Sequence, residues 1–140
     1  MDELQVLGCV RCLKALTTPV RMLDELPVPS PPTKISGSFA TVPAGAVAID
    51  PEPYYVDPDG STVGSVGALV ANIEDGLDLV PHEDPDRHSG CCGSNGFHGV
   101  THRCPGCRSQ VATIIDDCSM RQELRFEPDL VRLMPPADAW

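Results

Sequence analysis

The chain has 140 residues, of which 20 are acidic and ten are lysine or arginine, so its formal net charge is −10 at neutral pH. A chain of this length forms one domain with a buried core, and its acidic surface disfavours nucleic acid and anionic membranes as partners. The 15 prolines and 12 glycines leave little room for long helices and favour short strands joined by turns. We therefore predict a small, mostly β fold with little helix.

The first residues, Met-Asp-Glu-Leu-Gln-Val-Leu-Gly, are acidic and have too short an apolar run for a signal peptide. No segment has the length of a membrane-spanning helix, and we expect a cytoplasmic protein. In that reducing compartment the seven cysteines, an odd number, are better explained as metal ligands than as a disulfide framework. Disulfides in a secreted chain are the alternative.

In chain order, the first predicted feature is a hairpin, with strands over residues 4–7 and 16–23 on either side of a cysteine turn. The proline-rich segment 27–32 follows as an extended surface connector. Strand candidates come next at 36–42 and 46–49. The run Tyr54-Tyr-Val-Asp-Pro-Asp-Gly60 then predicts a hairpin, because it joins a strand to a Pro-Asp-Gly turn.

In the second half, segment 63–73 is apolar, but its period does not separate strand from helix. Asn72 is a candidate cap for one short helical turn. The run 110–115 is the most β-like in the chain and predicts a central strand, with closing strands at 124–126 and 130–133. We predict a single zinc-binding domain over residues 1–134 and a frayed C-terminal tail over 135–140.

Two cysteine pairs carry the clearest chemistry. The two-residue gap in Cys9-Val-Arg-Cys12 and in Cys104-Pro-Gly-Cys107 lets both thiolates of a tight turn point at one metal ion. Four thiolates fill the tetrahedron that zinc prefers and leave no open position for activating water. We therefore predict one structural Zn²⁺ bound by Cys9, Cys12, Cys104 and Cys107. Buried thiols without a metal are the alternative.

The two pairs are separated by 91 residues, so the metal would tie the two ends of the fold together. A cross-link that closes so long a loop removes much entropy from the unfolded chain, and structural zinc couples its binding free energy to folding. Such zinc knuckles usually carry glycine after the second cysteine to permit a positive φ. Leu13 and Arg108 hold those positions here, which makes the geometry less favourable.

The remaining cysteines, Cys91, Cys92 and Cys118, form a candidate second cluster with His98 and His102. The sequence leaves open a second closed metal site, buried structural thiols, and a redox switch between Cys118 and one of the pair. A redox thiol needs a lowered pKa, whereas the two aspartates before Cys118 would raise it. We favour buried structural thiols.

Glycines at 90, 93, 96 and 99 make residues 88–102 a tight loop, whose simplest role is to position the second cysteine pair. Because loops often carry function, a ligand pocket here is the alternative. The glycines oppose a helix, so His98 and His102 are predicted to be loop or strand residues with local hydrogen bonds; a metal or catalytic role is the alternative. His82 is predicted to be a solvated loop residue.

Two knuckles that flank a β-rich middle resemble the β-tent folds, which comprise the Yippee proteins, the thalidomide-binding domain of cereblon and the methionine-R-sulfoxide reductases. Gly96-Phe-His-Gly-Val-Thr-His-Arg-Cys-Pro-Gly-Cys is similar to the Yippee run before its second pair. Residues 104–117 resemble the reductase pattern of a knuckle, an apolar strand and paired aspartates. Tyr54-Tyr-Val-Asp-Pro-Asp-Gly60 looks like a cereblon-type Tyr-Val-Asn-Pro-His-Gly segment. These matches cover about a third of the chain and imply a zinc-held, β-tent-like fold.

The resemblance does not imply the catalytic activity of the reductases or the ligand binding of the cereblon-like domains. The reductases take their catalytic thiol from an Arg-Tyr-Cys run, whereas Arg125-Phe126 is followed here by Glu127. Cereblon-like domains hold an imide in a cage of tryptophans, whereas the only tryptophan in this chain is Trp140. Sulfoxide reduction and imide binding are therefore not expected.

The chain also has no phosphate-binding glycine loop followed by lysine, no nucleophile elbow and no metalloprotease helix motif. An enzyme is thus poorly supported. We predict a non-catalytic module, built on structural zinc, that binds a protein partner or a small ligand, with the loop 88–102 as its functional surface. The alternatives are a cysteine-dependent redox or hydrolytic enzyme that uses residues 88–118, and a small polar ligand binder at the glycine-rich loop.

Overall fold

The structure is a computed structural model that describes residues 3–27, 40–118 and 120–139. Short strands dominate these ranges, and helical structure there consists of 3₁₀ turns at Ile73–Asp75, Pro85–His88 and Pro136–Asp138. The predicted mostly β fold with little helix is confirmed. The strands are β1 (Val6–Cys9), β2 (Arg21–Met22), β3 (Ala46–Ile49), β4 (Tyr55–Val56), β5 (Thr62–Val63), β6 (Leu69–Ala71), β7 (Val80–Pro81), β8 (His102–Arg103), β9 (Gln110–Ile115), β10 (Glu123–Phe126) and β11 (Val131–Met134).

Seven of these strands form one sheet in the order β2-β3-β6-β10-β9-β8-β7. β2 and β3 run parallel, and the other neighbours are antiparallel. β1 pairs with β11 in a separate antiparallel sheet, and β4 pairs with β5 as a hairpin. The predicted central strand, β9, lies inside the large sheet between β10 and β8. Among the described residues, no helix is long and apolar enough to cross a membrane.

The strands predicted at 46–49, 124–126 and 130–133 are confirmed, as is the hairpin that starts at Tyr54. The predicted strand over 16–23 is shorter than expected. Its first part forms isolated bridges, from Val20 to Gln5 and from Thr17 to Gly76, and only Arg21–Met22 joins the large sheet. Asn72 caps a 3₁₀ turn by accepting a hydrogen bond from Glu74 N at 2.9 Å.

Other predictions fall partly on residues 28–39, which lie outside the described residues. These residues include most of the proline-rich connector and most of the strand candidate at 36–42. From that candidate, Ala40 forms a bridge to Gln122. Within the predicted C-terminal tail lies the 3₁₀ turn Pro136–Asp138, because the two consecutive prolines fix φ at its start.

The main core joins the large sheet to the β1–β11 pair. It contains Leu7 of β1, Val47 of β3, Leu124 and Phe126 of β10, and Val131 of β11. Four of these side chains are fully buried, and Val131 is nearly so. Burying one such side chain stabilises a fold by about 1.5–3 kcal/mol. The same cluster includes two of the predicted metal ligands, so the core and the cysteine turns form one packed unit.

β10 separates this core from a buried charged face. Leu124 and Phe126 point into the core, whereas Glu123 and Arg125 alternate with them and face the other side. Arg125 Nη1 donates to Asp50 Oδ2 at 2.9 Å and to Glu123 Oε2 at 2.8 Å. Because removing charges from water costs more than many ion pairs return, a buried ion pair is weak evidence for stability. Since stability alone does not account for these buried charges, this face is a candidate functional feature.

Phe126 offers a direct test of the core. Its side chain is fully buried, and we expect Phe126→Ala to lower the free energy of unfolding by about 3–5 kcal/mol. The matched control is Val56→Ala, since Val56 is 56% exposed and should change stability by less than about 0.5 kcal/mol. Urea unfolding at constant metal content measures both. Equal effects of the two substitutions would contradict this description of the core.

Candidate functional site

The four cysteines of the two pairs meet at one point. Their Sγ atoms all lie within 4.8 Å of one another. Cys9 Sγ is 3.5 Å from Cys107 Sγ, and Cys12 Sγ is 3.6 Å from Cys104 Sγ. A zinc ion with Zn–S bonds of about 2.3 Å places its sulfur ligands about 3.8 Å apart. The donor set and its spacing therefore fit a tetrahedral zinc ion, although metal binding itself stays a prediction.

The two cysteine turns repeat the same backbone geometry. Leu13 N–H donates to the carbonyl of Cys9 at 2.8 Å, and Arg108 N–H donates to the carbonyl of Cys104 at 3.0 Å. Leu13 has a φ of 64° and Arg108 a φ of 67°, so both adopt the left-handed conformation that knuckles usually give to glycine. For other residues this conformation costs about 1–2 kcal/mol. Each turn thus keeps the zinc-knuckle conformation although the residue after its second cysteine is not glycine.

These turns connect parts of the fold that are distant in sequence. Cys9 is the last residue of β1, and Cys104 directly follows β8. Both side chains are fully buried, whereas Cys12 is half-buried and Cys107 is exposed. A metal ion held here would fasten the β1–β11 pair to the large sheet and would have one side open to solvent.

The thiols differ in acidity. Burial raises the pKa of Cys9 to about 12 and also raises the pKa of Cys104. Burial acts the same way on Cys107, but hydrogen bonds from the hydroxyl and the backbone N–H of Ser109 outweigh it, and the pKa of Cys107 falls to about 6. A metal ion must therefore displace protons from the buried thiols. Cys107, whose pKa is lowered, is the ligand that most readily provides a thiolate for a metal ion.

The candidate second cluster is corrected by the structure. Cys91, Cys92 and Cys118 are exposed rather than buried, and Cys92 and Cys118 are joined in a disulfide. The preference for buried structural thiols, and the argument that the odd cysteine count disfavours disulfides, are therefore wrong for this pair. Within the described residues, Asp117 is the potential ligand that lies with Cys92 and Cys118; His98 and Cys91 do not join them.

Asp117 explains why these cysteines meet. Its carboxylate accepts hydrogen bonds from the backbone N–H groups of Cys91 at 3.2 Å, Cys92 at 3.0 Å and Cys118 at 2.8 Å. The Cys92 N–H makes the largest contribution to lowering the pKa of Asp117. A Cβ at Gly93 would lie 2.8 Å from the carbonyl oxygen of Asp116, so the loop packs closely against this corner. The sequence signal for this arrangement is the pair of aspartates before Cys118, of which Asp117 binds the loop backbone.

The histidines do not form a site with these cysteines. His98 is an exposed loop residue, and His102 lies in β8 with its ring centroid 5.8 Å from that of His88. Burial, helped by His88, lowers the pKa of His102 to about 4, so this side chain is neutral at pH 7. The prediction that His82 is solvated is wrong. Its side chain is 9% exposed, because the Arg103 guanidinium packs against it with Nη2 3.1 Å from Nε2.

A cavity of about 230 Å³ lies where the glycine-rich loop meets the large sheet. Tyr54 lines it from the β4–β5 side, Gly96 from the loop, Thr113 from β9, and Arg125 and Glu127 from β10 and the residue that follows it. The sequence offered a ligand pocket at this loop as an alternative, but it did not identify the walls that other elements supply.

Glycines permit the close packing around Tyr54. Gly64 and Gly96 both have positive φ, at 86° and 83°. A Cβ at Gly64 would lie 2.8 Å from Tyr54 Cβ, and one at Gly96 would lie 2.7 Å from Ile115 Cγ1 and 3.0 Å from Tyr54 Cε2. The Tyr54 hydroxyl donates to the carbonyl of Asn95 at 3.1 Å. The hairpin and the loop therefore hold this ring from both sides.

A basic cleft adjoins the cysteine turns. It is lined by Arg11, Arg103 and Arg108, three of the ten basic residues in this acidic chain. Arg103 is neutralised by Glu83, whose carboxylate accepts from Nη2 at 2.9 Å. The other two arginines lie next to cysteines in sequence, where their positive charge would offset the negative charge of thiolates that bind a metal ion. The positive charge of this cleft thus complements the charge of the cysteine cluster. The expectation of no nucleic-acid partner stays a prediction.

No protein-family model, curated protein or solved structure gives a significant match to this chain. The resemblance to the β-tent folds therefore stays a prediction.

The cysteines should fall into three classes of reactivity. In metal-loaded, unreduced protein we expect iodoacetamide to label Cys91, which is exposed and free. Cys92 and Cys118 should be labelled only after reduction, and the four clustered cysteines only after chelation, because metal-bound and disulfide sulfur are protected. Peptide mass spectrometry reads out each site. Equal labelling of Cys91 and Cys92 before reduction would contradict the disulfide.

Proposed function

We propose that this protein is a non-catalytic binding module whose fold is held by one structural zinc ion at Cys9, Cys12, Cys104 and Cys107. The convergence of four Sγ atoms from two turns, all within 4.8 Å of one another, carries the proposal. When bound, zinc with four thiolates supplies folding free energy and leaves no position for a reacting water.

Magnitudes support a structural role. Structural zinc sites bind their ion with about 10–16 kcal/mol at neutral pH. A whole domain is stable by about 5–15 kcal/mol. The metal's contribution is therefore comparable to the entire stability of the fold. The two cysteine pairs close a loop of most of the chain, so the unfolded state also loses entropy.

A catalytic role for the exposed cysteines is less well supported. Cys92 and Cys118 are joined in a disulfide, so neither offers the free thiolate that a nucleophile requires. The proposed compartment is the cytoplasm, because the four clustered cysteines must stay reduced to bind zinc. There the Cys92–Cys118 disulfide would be reversible.

The second candidate function is binding of a small polar ligand at the glycine-rich loop, and the cavity of about 230 Å³ favours it. An engineered cavity of about 150 Å³ holds benzene, and pockets for drug-sized ligands begin at about 300 Å³. This cavity accordingly suits a ligand between those sizes. Its walls combine apolar side chains with the buried Arg125 and the half-buried Glu127, which is the usual composition of a specific ligand site.

Zinc removal tests the first proposal. Purified protein should contain one zinc ion per chain, and a strong chelator should unfold it, because the lost binding free energy is comparable to the stability of the fold. Elemental mass spectrometry gives the metal content, and circular dichroism with thermal unfolding gives the stability.

Two matched cysteine variants sharpen that test. Cys12→Ser removes one ligand and should weaken zinc binding at least about 100-fold and lower Tm by more than about 10 °C. Cys91→Ser removes an exposed, free cysteine and should leave both unchanged. Wild-type protein that folds without metal and keeps its Tm in chelator would overturn the structural-zinc proposal.

A further inference from the structure

The cavity wall from β10 carries alternating charge. Glu123, Arg125 and Glu127 lie two residues apart, and the last two line the cavity. Arg125 is 3% exposed and Glu123 is fully buried. Thr41 Oγ1 donates to Glu123 Oε1 at 2.6 Å, so this carboxylate is held in place from a third element. The charges are therefore fixed in position before a ligand arrives.

Two carboxylates that do not line the cavity, those of Asp50 and Glu123, lie behind Arg125 and make the charge around this wall negative. Arg125 is shared between Asp50 and Glu123 through the same nitrogen, Nη1, and Glu127 adds a third carboxylate. Arg121 lies 3.7 Å from Glu123 but is partly exposed, so solvent screens it. Burial and then the charge of Glu123 raise the pKa of the lining residue Tyr54 to about 12. Such a cavity repels a carboxylate or phosphate and attracts a cation.

Two polar groups have capacity for a ligand. Arg125 Nη2 is buried and has no hydrogen-bond partner among the described residues. A buried donor without a partner is costly, and a neutral carbonyl oxygen would complete it. Glu127 accepts one hydrogen bond, from Ser65 Oγ at 2.7 Å. A carboxylate can accept about four, so Glu127 can also receive an ammonium group.

The rest of the wall is apolar. Val63, Val100 and Ile115 line the cavity, and they come from the hairpin, the glycine-rich loop and β9. Their side chains favour an aliphatic body next to the two polar groups. A cavity of about 230 Å³ leaves room for a body of amino-acid size.

We propose that the cavity binds a small aliphatic ligand that carries an ammonium group next to a neutral carbonyl. The ammonium pairs with Glu127, and the aliphatic part packs on Val100 and Ile115. Arg125 Nη2 is buried, so it donates to the carbonyl after a small rotation of the guanidinium opens this nitrogen to the cavity. An amino-acid amide and the first residue of a peptide share this chemistry. The proposal deepens the second candidate function and depends on it.

NMR titration of zinc-loaded, ¹⁵N-labelled protein tests the ligand class with four related compounds. Valinamide has both polar groups, valine replaces the neutral carbonyl with a carboxylate, isobutylamine lacks the carbonyl, and isovaleramide lacks the amine. We expect valinamide to shift the amides of Gly96, Gly99 and Thr113 in a saturable way. Each of the other three should bind at least about 10-fold more weakly, because each loses a charge-assisted or buried hydrogen bond or adds repulsion.

A variant isolates the ammonium contact. Glu127→Gln keeps an acceptor for Ser65 but removes the charge, and it should weaken valinamide about 10-fold while leaving isovaleramide unchanged. Glu74→Gln is the control, since it removes an exposed carboxylate that does not line the cavity. Its valinamide affinity should equal that of the wild type.

Two peptides distinguish between a protein N-terminus and a free small molecule as the source of the ligand. Binding of Val-Ala-Ala, but not of its N-acetylated form, would support the proposal with a protein N-terminus as the source. Binding of valinamide alone would support it with a free small molecule. Equal binding of valine and valinamide, no effect of Glu127→Gln, no saturable binding, or shifts outside the cavity would overturn it. If zinc-loaded protein binds none of these compounds, only this inference is contradicted. If the protein folds without zinc, the structural-zinc proposal is contradicted instead.

Discussion

The convergence of four cysteine sulfurs is the constraint on which the rest of the structure depends. It joins the end of β1 to the turn between β8 and β9, and its two buried members belong to the main core. Each turn holds a non-glycine residue, Leu13 or Arg108, in a left-handed conformation. Local preference opposes that conformation, so packing and the shared sulfur cluster must maintain it. In the proposed function, the zinc ion supplies the free energy that keeps this arrangement closed.

One strand links this scaffold to the cavity. The apolar face of β10 places Leu124 and Phe126 in the core, and its charged face places Arg125 at the cavity. Because the core fixes the backbone of the strand, the charges on its opposite face are fixed as well. Rigid elements hold binding groups more precisely than loops do. The stability of the cysteine-linked core and the geometry of the cavity are thus properties of the same strand.

The sequence predicts those features that local spacing determines. The two cysteine turns, the strand β9 and the hairpin at Tyr54 follow from patterns within a few residues. The disulfide does not, because it depends on Asp117 gathering backbone groups from 25 or 26 positions away. The cavity is equally hidden, since the Asp50 partner of Arg125 is 75 positions distant. Alternating charges around Arg125 were visible, but nothing local showed that they were buried.

The pairing of β1 with β11 has a consequence for synthesis. Val6 lies opposite Met134, so β1 can pair only after β11 has been synthesised and has left the ribosome. The sulfurs of the cysteine turn next to β1 also meet their partners late, because Cys104 follows Cys12 by 92 positions. Contacts this distant in sequence form slowly. Until β11 and the second cysteine turn have been synthesised, the nascent chain therefore carries an apolar strand and two thiols without their native partners.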